Sequence, residues 1–182
     1  MGDLDQDGRA DLVVGSAGAG ISACYGAPAG PAACTLLSSS VGAEGSQSLA
    51  VGDVSGTSRP ETVVGSPYDG KSEGAVLTLS LSGSRTSTTV ARSTLTPDSP
   101  GVRGTSEKND EFGTAVALGD LDGDVRLDLS VGAPDENRGD GALTLLRGSG
   151  SSFTTKGART DTSKDLGHAA TRDAGFGEVL GG

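Results

Sequence analysis

Residues 112–134 read FGTAVALGDLDGDVRLDLSVGAP, and the pattern recurs. A second version, GSQSLAVGDVSGTSRPETVVGSP, occupies residues 45–67 in the same register, and a third, GDLDQDGRADLVVGSA, starts at Gly2. The final residues, FGEVLGG from Phe176, begin a fourth version and stop before its acidic loop. Self-similarity at a spacing of roughly fifty to seventy residues is the signature of a repeat architecture. Each repeat core is an apolar strand, an acidic loop and a second strand. The repeats divide the chain into residues 1–44, a unit lacking its first strand; 45–111, a degenerate unit; 112–175, a complete unit; and 176–182, the start of another.

The acidic loop carries the chemistry. Asp3, Asp5, Asp7 and Asp11 in the first copy, and Asp120, Asp122, Asp124 and Asp128 in the third, occupy loop positions 1, 3, 5 and 9. Alternate residues of a tight loop can turn their oxygens toward one centre, and calcium takes about six to eight oxygens. Four carboxylates, the backbone carbonyl at position 7 (Arg9 or Arg126) and a water would satisfy it. Without a cation, the same carboxylates repel one another. The spacing shares its first half with the EF-hand loop. Here, however, the chain continues into the strand-like LVVGS and LSVGA rather than a helix. Solvated acidic turns are the plainer explanation, since Asp and Gly favour turns for local reasons; two copies in one register favour metal. The middle loop has Asp53 followed by Ser55, Thr57 and Glu61, a poor cage, so it is expected to be empty or weak. Val125 replaces the turn-making glycine found at Gly8, which implies local strain or an altered loop path.

Phe112–Gly113, GDLDGD and Gly132–Ala133–Pro134 together resemble the FG-GAP repeat of integrin α-subunit propellers and related bacterial proteins. The resemblance covers nearly the whole chain: two well-marked copies and one decayed copy, with Gly45–Ser46 for Phe-Gly and Gly65–Ser66–Pro67 for Gly-Ala-Pro. It implies an all-β fold, a partial β-propeller of about three blades built from short antiparallel strands. It also implies that Asp3, Asp5, Asp7, Asp11, Asp120, Asp122, Asp124 and Asp128 hold calcium on one face. A protein or glycan ligand would then meet the opposite face, where residues 96–110 and 135–140 are expected.

Composition agrees with an all-β chain. Glycine makes up 31 of 182 residues and aromatics only 3%, and no long helical periodicity is visible. Residues 75–81 and 142–146 read as short strands, and 26–31, 82–88 and 148–155 as turns and connections. The net charge of −10 argues against nucleic acid and anionic membranes, and no apolar run is long enough to span a bilayer. Cys24 and Cys34 flank the turn YGAPAGPAA; in a secreted chain they would form a disulfide, and otherwise remain buried thiols. No signal peptide is legible, and Met1 falls inside a repeat, so the sequence reads as a fragment or a misplaced start.

Catalysis finds little support. The single histidine, His168, lies in a polar loop, no GxSxG motif occurs, and the Asp sets have metal spacing rather than the separated roles of an acid–base pair. Arg138–Gly139–Asp140 spells RGD, which chance explains in a sequence this rich in those residues. The expectation is an extracellular, calcium-binding, non-enzymatic binding or adhesion module, with self-association through open blade edges. The alternatives are an accessory domain of a larger secreted hydrolase and a structural fragment without its own ligand.

Overall fold

The computed structural model describes residues 1–182 except 17, 32–33, 40–47, 71, 85–86, 151, 169–172 and 182. The Gly45–Ser46 pair of the decayed repeat therefore lies outside the described residues. The fold is all-β, with three antiparallel sheets. The first orders β1 (Leu12–Ser16), β2 (Gly20–Cys24) and β3 (Cys34–Ser38) in sequence. The second orders β4 (Ser48–Gly52), β5 (Glu61–Ser66), β6 (Ala75–Ser84) and β7 (Ser87–Leu95). The third orders β8 (Ala115–Gly119), β9 (Asp128–Ala133), β10 (Ala142–Gly148) and β11 (Phe153–Thr162). A four-residue helical turn, α1 (Glu136–Gly139), sits between β9 and β10, with Asn137 and Arg138 in left-handed conformations. This is the architecture of a partial β-propeller.

Short strands and simple up-and-down order follow from the sequence, because every strand is bounded by Gly, Ser or Asp turns. One expected turn is narrower than the composition implies: β6 runs on to Ser84 and β7 begins at Ser87, so most of residues 82–88 belongs to strands. Thr78 and Ser80 alternate with Leu77, Leu79 and Leu81 in β6, and cross-strand pairing from Val76↔Leu95 to Ser84↔Ser87 carries the strands on through the small polar residues that follow. Cys24 and Cys34 face each other across β2 and β3 and are joined by a disulfide.

The core lies between sheets. Successive strand residues point to opposite faces, and the middle sheet uses both. Val64, Leu77, Leu79 and Leu81 pack with Leu4, Val13, Ile21 and Leu37 of the first sheet. Val63 and Val76 turn the other way, onto Phe112, Val116, Leu129 and Val131 of the third. Every residue of β5 is buried, which explains why ETVVGS shows no polar alternation.

Consecutive sheets are also clasped through backbone. Phe112 forms a parallel bridge with Gly74, and Gly65 lies so near the Gly113 carbonyl that a Cβ would collide with it. Phe176 and Gly177 repeat both contacts on Gly141 and Gly132 of the third sheet. The Phe-Gly pair opening one repeat is thus the fastener of the repeat before it. Among the described residues the C-terminal segment closes on the neighbouring third sheet through Phe176 rather than on β1.

Candidate metal centre

The acidic loop joins β4 to β5 and β8 to β9; in the first sheet it precedes β1, closed by the isolated bridge between Gly2 and Asp11, and its path is the same in all three. Positions 4 and 6 are left-handed each time: Gln6 and Gly8, Gly56 and Ser58, Gly123 and Val125. Val125 thus follows the common path, with φ 72° in an exposed β-branched residue. It bears strain rather than diverting the loop.

The position-1 carboxylate holds this path in place. Asp3 accepts from the Asp7 and Gly8 amides at 3.0 and 2.8 Å. Asp120 accepts from Gly123, Asp124 and Val125 at 2.7, 3.1 and 3.0 Å. Asp53 does the same with Thr57 and Ser58. Asp5 Oδ1 and Asp122 Oδ1 take the amides of Asp7 and Asp124. The position-7 arginine folds back on the position-5 aspartate where one exists: Arg9 to Asp7 at 3.0 Å and Arg126 to Asp124 at 3.3 Å. In the middle loop, where position 5 is Thr57, Arg59 instead donates to the carbonyls of Leu81 and Gly83.

These loops gather oxygens. Asp3, Asp5 and Asp11 each offer one carboxylate oxygen within 4.8 Å of the others, and so do Asp120, Asp122 and Asp124. Asp7 and Asp128 lie outside these two sets. The donor chemistry, all carboxylate oxygen, fits a hard divalent cation such as calcium. The carboxylates also differ in exposure: Asp120, Asp122 and Asp124 are exposed, whereas Asp3 and Asp5 are half-buried.

Position 9 has a role the sequence did not reveal. Asp11 is 1% exposed, and its two oxygens accept from Leu4 N at 2.7 Å and Gly26 N at 2.8 Å. Asp128, buried likewise, accepts from Leu121 N and Gly148 N, both at 2.9 Å. This carboxylate therefore ties the start of the loop to the segment just after β2 in the first sheet and to the end of β10 in the third. A buried backbone amide must find an acceptor, and the position-9 acid supplies it. In the middle loop Glu61 reaches further: it accepts from Val54 N, Ser55 N and the Ser55 hydroxyl, which also hydrogen-bonds Thr57. Hydroxyls and a longer acid complete this loop with no ion required.

The opposite ends of the sheets carry a second acidic region. Asp110, on the connection before β8, and Glu136, in α1, lie near enough for the charge of Asp110 to act on the Glu136 carboxyl. Burial, then the neighbouring Asp110 and Glu107 charges, pushes Glu136 up to about 7. Burial also raises Asp110 and Glu111. The nearby Arg138–Gly139–Asp140 triplet is no presented ligand loop, because Gly139 is buried and its carbonyl accepts from Gly175 N. His168 is exposed, and part of its loop lies outside the described residues.

Residues 112–146 match the family model described as FG-GAP repeat. No curated protein matches the chain. The matched span covers β8, the Asp120 loop, β9, α1 and most of β10.

Proposed function

We propose that this chain, which carries an FG-GAP repeat, is a segment of an extracellular, calcium-stabilised β-propeller serving as a binding or adhesion module. The observation that carries the reading is the loop built twice to one plan, with three carboxylate oxygens gathered in each. In the first loop Asp3, Asp5, Asp7 and Asp11 with the Arg9 carbonyl, and in the third Asp120, Asp122, Asp124 and Asp128 with the Arg126 carbonyl, would hold the ion. Calcium supplies positive charge that offsets carboxylate repulsion and fastens the loop. Asp11 and Asp128 keep their amide bonds and present the remaining lone pairs.

The disulfide supports an oxidising, extracellular setting. No helix among the described residues is long and apolar enough to cross a membrane. A protein or glycan ligand is assigned to the end opposite the loops, formed by residues 96–110 and 135–140, since loops on a rigid scaffold are where recognition concentrates. The edge strand β1, with Leu12 and Val14 each 41% exposed, is the surface for self-association.

Thermal unfolding with calcium and with chelator tests the reading. A ligand that binds only the folded state stabilises by about 2.7 kcal/mol per site at a hundredfold excess over Kd. Magnesium should substitute poorly, because it demands tight octahedral geometry and keeps its waters. A melting temperature indifferent to chelator would sink the proposal.

A further inference from the structure

We propose that Arg147 lowers the calcium affinity of the Asp120 loop by competing with the ion for Asp122. This rests on the calcium reading above. Arg147 NH1 stands 3.3 Å from Asp122 Oδ2, a carboxylate of the gathered set. The arginine comes not from the loop but from β10, next to Gly148, whose amide is bound by buried Asp128. Its backbone is therefore held beside the loop, and its guanidinium meets a carboxylate of the gathered set.

Register makes Arg147 the distinguishing residue. Leu129 pairs with Leu146 in the third sheet as Leu12 pairs with Cys24 in the first and Thr62 with Leu79 in the second. The position that follows is Arg147 in the third sheet, but Tyr25 and Ser80 in the others. The position-7 arginine, by contrast, recurs as Arg9, Arg59 and Arg126. In the third loop Arg126 on Asp124 and Arg147 on Asp122 engage two of the three gathered carboxylates. A divalent ion entering there must displace or share these pairs and meets the repulsion of an added positive charge.

The pair is solvent-accessible, with the Arg147 side chain 65% exposed, so its competition is modest. Exposed pairs of this kind correspond to a change of about two- to fivefold in an equilibrium constant. Calcium calorimetry on the full chain and on Asp5→Ala, which isolates the third loop, would measure it. Arg147→Gln should tighten the Asp120-loop Kd about two- to fivefold, leave the Asp3-loop Kd unchanged, and lower the melting temperature in chelator. The difference from wild type should shrink at high ionic strength, because exposed charges are screened. If wild type binds calcium and Arg147→Gln leaves both constants unchanged, or weakens the third loop, competition is overturned while the calcium reading stands. If wild type takes up no calcium, both fall together.

Discussion

Gly65 lies directly against the carbonyl oxygen of Gly113, at the point where one sheet hands over to the next. Gly132 stands in the same relation to Gly177. The obstacle is backbone in both cases, so a side chain cannot be accommodated by a rotamer change. The Gly-Ser-Pro and Gly-Ala-Pro motifs owe their first residue to this close approach. Gly65→Ala should therefore destabilise the chain by about 2–3 kcal/mol, as overpacking does when nothing can move aside. Chemical denaturation would measure it; an unchanged midpoint would show that the sheets are not clasped here.

Glu61 fastens the middle loop without metal, through Val54 N, Ser55 N and the Ser55 hydroxyl. Removing it leaves the buried Val54 amide with Gly52 O alone and the Ser55 hydroxyl with Thr57 alone, and takes one acceptor from the half-buried Ser55 amide, which costs about 1–2 kcal/mol. The loss in Glu61→Ala should be equal in calcium and in chelator. A loss seen only in calcium would mean that this loop, too, holds an ion.

Val125 sits at φ 72° with its side chain 90% exposed, so it has strain and no packing to offset it. Val125→Gly should raise stability by about 1 kcal/mol. Thermal melts of the two proteins in chelator would check this; a lower melting temperature for the glycine variant would refute the strain.

Glu136 gives a pH dependence of definite sign. Its folded value, about 7, lies above the ordinary glutamate value of 4.5. Its contribution is thus fully present below the unfolded value and is lost as pH rises from about 4.5 through about 7. Discounted for its partial exposure, the change is about 1–2 kcal/mol. In chelator, Glu136→Gln should flatten the fall in stability between pH 5 and 8 relative to wild type. Parallel pH profiles for the two proteins would show that Glu136 is not the group responsible.

The repeated loop and the strands around it were legible because their signals are local: alternate aspartates, short apolar runs and glycine turns. The Cys24–Cys34 bond was legible for the same reason, both residues flanking one turn. Contacts between distant residues were not. Asp11 and Asp128 read as ion ligands by spacing, yet the amides that they capture belong to Gly26, just past β2, and Gly148, at the end of β10. Phe112–Gly113 read as the start of its own repeat, whereas its partners are Gly74 and Gly65 of the preceding one. Asp110 and Glu136 are on separate connections, and only the fold brings the charge of one to bear on the other.

Calorimetric titration of the full chain with calcium tests the central claim most directly. The predicted stoichiometry is two ions, one in the Asp3 loop and one in the Asp120 loop, with Asp124→Ala weakening only the second. A stoichiometry of zero would contradict calcium binding, and a stoichiometry of three would contradict the self-sufficient middle loop.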